Sequence, residues 1–446
     1  MKISFADLGV TDYLIEALDV LQIKTPTTIQ AKAIPILLNQ KEDVVALAKT
    51  GTGKTASFGL PLLQSINTQN NFIQAIVLAP TRELGQQIFT NLTDFSSKKK
   101  QISIAPVFGG IPIKPQIERL KKDTHVIVAT PGRLIDLIKR ESIDVTKVTL
   151  LVLDEADEMI TVLNKGLDVV IASLPKSIRT LLFTATMPGS IKQMVQNYLS
   201  KDAVHIKADM ENLGHNAIDH QYVVVKPIEK LEVLMHFLNT KEGQRGIIFC
   251  KTKAAVNKLA KKLAMNKFSS GALHGSLTQG IRDRIMEQFR EGHIDILIAT
   301  DLAARGIDVK QIKYVVQYHL PDTYDAYVHR SGRTARAGAK GLSLSVIQED
   351  ELDDIPDLEQ ELGISFSKLP KADALALEQN NTILWARKIF KTKPNKDISQ
   401  DLKTIIKTVF HHLTKDELIE KLMAHQLQQT NKLPVLNKKD KKKNKQ

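Results

Sequence analysis

The stretch Ala48-Lys49-Thr50-Gly51-Thr52-Gly53-Lys54-Thr55 restricts what this chain can become more than any other. It follows the apolar run Val44–Leu47 and precedes residues with helical spacing. Glycines there let the backbone wrap round phosphate oxygens, so that several N–H groups and a helix N-terminus converge on one anion. In such a loop Lys54 reaches the outer phosphates of a nucleotide and the Thr55 hydroxyl holds Mg²⁺. The general pattern opens with glycine where this chain has Ala48, and a lone Gly-Lys-Thr is often only a turn entering a helix. The order strand, loop, helix favours the phosphate-binding reading over the turn.

The surroundings of this loop point to an α/β fold. Short apolar runs at Val44–Ala48, Ala75–Ala79, Val126–Ala129, Leu150–Leu153 and Leu181–Phe183 alternate with longer helix-like stretches. Strands buried on both faces of a parallel sheet read as such continuous runs. Each run ends in a polar cluster: the glycine loop, then Pro80-Thr81-Arg82-Glu83-Leu84, Thr130-Pro131-Gly132-Arg133, Asp154-Glu155-Ala156-Asp157 and Thr184-Ala185-Thr186. Open α/β sheets bind ligands at that carboxyl edge. Residues 201–219 are more polar and read as a linker, after which the rhythm restarts at Tyr222–Val225, Gly246–Cys250, Ile296–Ala299, Tyr314–Val316 and Leu342–Ile347. Two similar α/β halves are implied, without a residue-level repeat between them.

Beyond Glu349 an acidic patch (Glu349, Asp350, Glu351, Asp353, Asp354, Asp357) gives way to spacing for helices at Asp373–Phe390, Asp397–Leu413 and Lys415–Gln426. Thr414 with Glu417 reads as a capping box for the last. Formal net charge is +13 in 446 residues, which suggests a polyanionic partner. Part of it is local, since the last 16 residues carry seven lysines against Asp440. The tract Asn437–Gln446 is expected to be disordered and to tether a polyanionic partner through its phosphates, with a purely solubilising tail as the rival reading. The one cysteine, Cys250, lies in an apolar run, which excludes an intrachain disulfide and a Cys/His metal cluster. No signal-peptide core or membrane-length apolar run is present, so a soluble, cytoplasmic protein is expected.

Asp154-Glu155-Ala156-Asp157 at a strand end supplies a second ATPase element. Asp154 is placed to hold Mg²⁺ and Glu155 to polarise an attacking water. An acidic helix N-terminus is favourable for dipole reasons alone, but an acidic cluster downstream of a phosphate loop in one α/β unit favours chemistry. At this point the chain resembles the DEAD-box RNA helicases, whose naming tetrad is present, and the match runs from Phe5 to about Ile347.

The resemblance implies roles residue by residue. Thr25-Pro26-Thr27-Thr28-Ile29-Gln30 resembles the adenine-recognition motif, with Gln30 on the adenine edge and Phe5 stacking on the base. Gln22-Ile23 replaces the usual Gly-aromatic pair. Ala48, Thr50, Gly51, Thr52, Gly53, Lys54 and Thr55 line the nucleotide phosphates, with Thr55 and Asp154 on the metal. Thr81, Arg82, Gly110, Thr130 and Arg133 are implied to contact the RNA backbone from the first half; Gly85 stands for the usual alanine, a small change. Thr184 and Thr186 stand where the family has Ser-Ala-Thr and would couple hydrolysis to the second half. There His274-Gly275-Ser276, Gln279 and Arg282 resemble the RNA-binding motif. Thr300 and Asp301, with Gly306 and Asp308, resemble the element touching RNA and ribose. Tyr327–Arg336 resembles the arginine-finger motif, with His329 coupling the halves and Arg333 and Arg336 at the γ-phosphate. His319 stands where the family often has an acid.

The resemblance implies two tandem RecA-like domains with parallel sheets, a helical C-terminal extension and a disordered basic tail. The expected divisions are 1–205, a linker 206–219, 220–348, 349–436 and 437–446. The implied activity is RNA-stimulated ATP hydrolysis, with ATP and Mg²⁺, coupled through interdomain closure to local, non-processive unwinding of sequence-tolerant RNA. An ATP-gated RNA clamp and a DNA translocase are the rival readings. The helices beyond the second half are expected to dock a protein partner or self-associate, or simply to cap a domain.

Overall fold

A computed structural model describes residues 3–48, 51–99, 101–208, 217–304, 309, 312–335, 339–370, 382, 385–386, 389, 392 and 398–430, with backbone alone at 161–165 and 428–430. Met1–Val224 with Gly243–Leu369 form one compact unit; Val225–Glu242 with Pro370–Gln446 form a second. The first unit holds two seven-stranded parallel sheets.

The first lobe runs α1 (Asp12–Val20), α2 (Thr28–Asn39), β1 (Val44–Leu47), α3 (Lys54–Ser65), β2 (Ala75–Leu78), α4 (Arg82–Phe95), β3 (Ile104–Val107), α5 (Lys114–Leu120), β4 (Val126–Ala129), α6 (Pro131–Lys139), β5 (Leu150–Asp154), α7 (Ala156–Ala172), β6 (Arg179–Thr184), α8 (Gly189–Tyr198) and β7 (Val204–Lys207). Its strand order is β3-β4-β2-β5-β6-β1-β7. Consecutive strand residues point to opposite faces. Val44, Ala46, Ala75 and Val77 therefore enter one core, with Phe58, Leu62 and Ile88. Val45, Ile76 and Leu78 enter the other, with Leu134, Met159 and Ile191. Because both faces are covered, the central strands need apolar residues at every position.

The second sheet begins with β8 (Ile218–Val224). It continues through β9 (Arg245–Phe249), α10 (Lys253–Met265), β10 (Ser270–Leu273), α11 (Gln279–Glu291), β11 (Ile296–Ala299), α12 (Asp301–Ala304), β12 (Ile312–Gln317), α13 (Tyr324–Ser331), β13 (Gly341–Ile347), α14 (Asp354–Leu362) and β14 (Phe366–Lys368); α9 (Lys230–Thr240) falls in the second unit. Its order, β10-β11-β9-β12-β13-β8-β14, is the first sheet's order with seven added to every strand number. The two halves expected from rhythm are thus one topology used twice, although their sequences do not repeat.

Four strands carry no clear signal in the sequence: β3, β7, β10 and β14. They are the four sheet edges. Pro106 in β3 is a residue that a sheet edge tolerates and a centre does not, and Gly271 further weakens the apolar run of β10. The second sheet also passes residue 348, since β14 pairs with β8 through Phe366 and His220. The acidic patch forms a 3₁₀ turn at Glu349–Glu351 and the first turn of α14. At the expected linker, Ile206 and Lys207 close β7, and Ile218 and Asp219 open β8.

In the second unit, α15 (Gln400–Val409) is shorter than the helix expected at Asp397–Leu413, and α16 (Lys415–Thr430) runs past Gln426. Ser399 caps α15, and Thr414 and Glu417 make the reciprocal capping bonds at 2.8 and 3.2 Å. Leu402, Ile405, Ile406, Val409 and Phe410 are exposed along α15, as are Ile419, Leu422 and Met423 on α16. Most of the helix expected at Asp373–Phe390 and the whole tract Asn437–Gln446 lie outside the described residues. Among the described residues no helix is long and apolar enough to cross a membrane.

Candidate active site

Parallel register puts the polar clusters side by side. Leu47 pairs with Thr184, and Asp154 with Phe183, so the glycine loop, the acidic tetrad and Thr184–Thr186 leave three adjacent strands at one edge. Gly53 opens α3 in the left-handed region (φ 89°), and a Cβ there would stand 2.4 Å from Gln30 Nε2. The motif around Gln30 grips this loop: Thr27 Oγ1 donates to the Thr52 carbonyl (2.8 Å) and Gln30 Nε2 to the Gly53 carbonyl (3.1 Å). Gln30 Oε1 accepts from Thr27 N (2.9 Å), so both ends of the amide are engaged within the protein. Phe5 packs in the first core with Leu8 and Leu14. Gly51 is exposed, Thr52 and Thr55 are half-buried, and Ala48 N donates to the Thr184 carbonyl (2.9 Å).

Lys54 is buried 3.9 Å from Asp154, and its Nζ has no hydrogen-bond partner among the described residues. Glu155, 4% exposed, takes φ 52° as the residue before α7, a costly conformation for a side chain with a Cβ. Its Oε2 also lacks a hydrogen bond. Burial first, and the neighbouring Glu158 second, push the Glu155 carboxyl up to about 7; Lys54 and Arg333 pull the other way. Burial likewise raises Asp154. Asp157 also feels burial, but the hydrogen bond and charge of His329, with Lys54 and Thr186, hold it well below the carboxylate range. Asp157 Oδ2 accepts from Ala185 N (3.2 Å), Thr186 N (3.0 Å) and Thr186 Oγ1 (2.8 Å). Thr184 Oγ1 donates to the Thr186 carbonyl (2.8 Å), which completes the link between the tetrad and the adjacent strand end.

The second lobe meets this edge with cations. His329 on α13 lies between Asp157 (3.4 Å) and Glu158 (3.1 Å). Burial alone would lower the imidazole; the hydrogen bonds and charges of the two carboxylates raise it to about 10. Arg333 is buried and donates to the His329 carbonyl (3.2 Å). Arg330 forms a bidentate pair with Asp301, donates to Gln317 Oε1 (2.9 Å) and the His319 carbonyl (2.7 Å), and stacks on Phe249. These bonds fix the helix that carries His329 and Arg333.

A second set of bridges joins residues that resemblance assigns to RNA. Arg282 pairs with Glu83 (2.9 Å), Gln279 donates to Glu83 (3.3 Å) and to Asp283 (2.9 Å), and Arg82 reaches Asp283 (3.4 Å). Gly110 (φ 78°) approaches Gln279, leaving 3.4 Å for a Cβ. Thr81 caps α4, Thr130 Oγ1 accepts from Gly109 N (3.2 Å), and Arg133 donates to the Ile111 carbonyl (2.9 Å). Gly275 is exposed beside His274, whose Nε2 meets Asn257 (3.0 Å), and Thr300 N bonds the Leu273 carbonyl (3.3 Å). Thr50, Gly306, Asp308 and Arg336 lie outside the described residues.

Five charged residues of these networks stand outside the site as read from sequence: Glu83, Asp157, Glu158, Asp283 and Arg330. Each lies inside or next to a motif and stands beside an opposite charge; all but the exposed Asp283 are at least partly buried. Gly85 also differs from expectation. A Cβ there would stand 2.5 Å from the Phe108 ring, so the alanine usual at this position does not fit this core without a shift.

A divalent cation fits the edge only with help. Among the described residues no group of three or more His, Cys, Asp or Glu is arranged to hold a metal ion. Mg²⁺ characteristically binds through one or two carboxylates together with substrate phosphates. The orphaned Lys54 Nζ and the buried Asp154 suit a phosphate and its cation.

Residues 27–194 match the family model for the DEAD/DEAH box helicase, and residues 229–338 the helicase conserved C-terminal domain. Residues 377–433 match the helical domain of a probable ATP-dependent RNA helicase. The chain is 36% identical over 403 residues to the DEAD-box ATP-dependent RNA helicase CshA of Bacillus cereus, covering 89% of this chain and 75% of that one. It is also 36% identical to the ATP-dependent RNA helicase DeaD of Escherichia coli, covering 89% and 63%. Among solved structures it resembles S. cerevisiae Dbp5 bound to RNA and ADP BeF3, with TM-score 0.77, 30% identity and coverage of 86% and 100%. Mss116p bound to ssRNA and AMP-PNP gives TM-score 0.77 at 26% identity, covering 94% and 88%. The duplicated parallel sheet, the glycine loop facing an acidic tetrad and these relatives lead to one conclusion: the chain belongs to the DEAD-box family of ATP-dependent RNA helicases and is an RNA-stimulated ATPase.

Proposed function

We propose that this helicase hydrolyses ATP only when its two lobes close, and that RNA favours the same closed state. The observation that carries this reading is the pair of bridges between lobes, Arg282 to Glu83 and His329 to Asp157 and Glu158, made by residues of the motifs themselves. ATP binds at the first lobe's edge, with Lys54 on the outer phosphates and Gly51, Thr52 and Gly53 around them. Thr55 and Asp154 hold Mg²⁺ there, which when bound neutralises phosphate charge. Glu155 takes the proton of the attacking water, and Arg333, with Arg336, steadies charge developing on the γ-phosphoryl group. Gln30 reaches the adenine edge by releasing one of its two internal bonds.

RNA lies on Thr81, Arg82, Gly110, Thr130 and Arg133 of the first lobe and on Gly275, Gln279, Arg282 and Thr300 of the second. These residues are suited to sugar and phosphate rather than base edges, so binding is sequence-tolerant. Because both ligands favour closure, each raises the affinity for the other by the same factor. Unwinding is local and non-processive, and the work is done in the cytoplasm. In this reading the lobes are residues 1–205 and 220–348, with β14 extending the second sheet. The exposed apolar stripe of α15 and α16 serves self-association, since identical stripes bury each other across a two-fold axis. Light scattering of the chain with Ile405→Asp tests that contact.

The decisive experiment is the steady-state ATPase rate without nucleic acid, with single-stranded RNA and with matching DNA. Stimulation by RNA alone supports the reading. Equal stimulation by DNA, or a high rate without either, overturns it.

A further inference from the structure

Glu158 follows the acidic tetrad and makes the His329 bridge together with Asp157. It is 2% exposed in the first turn of α7, with Oε1 3.1 Å from His329 Nδ1. On the other side of the ring, Nε2 stands 3.4 Å from Asp157 Oδ2. A second-lobe imidazole is therefore held at both nitrogens by two carboxylates of the first lobe. One contact leaves a ring free to turn about its side-chain bonds; two fix its plane.

The fixed ring lies on the helix that aims the arginines. Arg333 Nε bonds the His329 carbonyl at 3.2 Å, and Arg330 is locked to Asp301. Glu158, Asp301, His329, Arg330 and Arg333 also bound a cavity of about 30 Å³ together with Phe249. Asp157 is already committed to Ala185 N and to Thr186, so it cannot turn to follow the histidine. Glu158 holds the other ring nitrogen at 3.1 Å, and the ring settles against it.

We propose that Glu158 is a positioning residue for lobe closure: by holding His329 Nδ1 it orients the α13 end of the second lobe against the acidic edge of the first. The inference rests on the two-lobe ATPase reading. It concerns how readily the lobes close, not the chemistry once they have closed. Loss of Glu158 should therefore weaken the apparent hold on RNA and leave turnover at saturating RNA nearly intact.

The test is ATPase titration with single-stranded RNA, using the full chain and Glu158→Gln and Glu158→Ala. The half-saturating RNA concentration is expected to rise about 10- to 100-fold, because His329 keeps Asp157 as its remaining partner. Turnover at saturation should stay within about twofold, the signature of a change in binding rather than in the transition state. A double-mutant cycle with His329→Gln adds a readout that general loosening does not move. Glu158→Gln should then cost much less in the His329→Gln background than alone. Equal costs in both backgrounds, a fall in turnover with unchanged RNA dependence, or no effect each overturns the proposal. Glu158→Gln preserves shape, so it decides the matter if Glu158→Ala fails to fold. A wild-type chain that ignores RNA sinks the two-lobe reading and this inference with it; a stimulated wild type with indifferent variants sinks the inference alone.

Discussion

Removing the imidazole at His329 should open the cleft. The ring is 14% exposed and faces carboxylates that are 4% and 2% exposed. Raising an imidazole from its ordinary 6.5 to about 10 corresponds to on the order of 5 kcal/mol at about 1.36 kcal/mol per pH unit. Breaking a buried ion pair by deleting one partner costs about 3–5 kcal/mol, which agrees. His329→Ala should therefore lower the closed fraction about 10²- to 10³-fold, and His329→Gln somewhat less, because an amide still donates to one carboxylate. Fluorescence transfer between one introduced cysteine per lobe measures closure directly, and the buried Cys250 does not compete for dye. The sign with pH follows from the raised value. The stabilisation is complete below about pH 6.5 and is lost as pH rises through about 10, where the folded-state imidazole gives up its proton. Wild-type closure should fade on that alkaline climb, and His329→Gln should be flat across it. Variants that close within threefold of wild type at neutral pH would refute the reasoning.

Other substitutions probe separate parts. Glu155→Gln should reduce turnover by about 10²–10⁴ while ATP and RNA still bind, as for a lost general base; near-normal turnover would show that another group takes the proton. Lys54→Ala should weaken nucleotide binding about 10- to 100-fold in a calorimetric titration, since a charge-assisted phosphate contact is lost; unchanged affinity would count against the glycine-loop assignment. Glu83→Lys should lower the closed fraction of the RNA-free chain, read by the same fluorescence transfer, by placing like charge beside Arg282, and adding Arg282→Glu should restore it; a double variant as poor as the single one would mean that the pair does not act as a bridge. Gly85→Ala gains about 1 kcal/mol of helix propensity but drives a Cβ to 2.5 Å from Phe108, an overpacking cost of about 1–3 kcal/mol. Urea unfolding should show a net loss that Phe108→Leu relieves, and a stabilised Gly85→Ala would show that the ring moves freely.

What the sequence made legible follows from burial. Central strands such as Ala75–Leu78 and Val126–Ala129 are covered on both faces and flanked on both sides, so every position had to be apolar. The edge strands β3, β7, β10 and β14 escape that demand, and a proline, a lysine or a glycine among them erases the pattern. In the site, the glycine loop and the acidic tetrad are readable because phosphate and metal chemistry restrict residue types at fixed spacing. The partners Glu83, Asp283 and Glu158 are not, because a carboxylate that bridges lobes looks, in one dimension, like any solvated acid. Phe5 and Gln30 show the converse. Their motif is visible in the sequence, but that Gln30 is tied to Gly53 and that Phe5 lies in the core are facts of three-dimensional packing.

The reuse of one strand order in both sheets stops short of the phosphate loop. In the first copy, the chain leaving β1 enters the glycine loop; in the second, the chain leaving the equivalent strand β8 carries no glycine from residue 225 to residue 242. That exit lacks the backbone freedom a phosphate cradle needs. The second copy of the strand order therefore does not repeat the phosphate loop of the first.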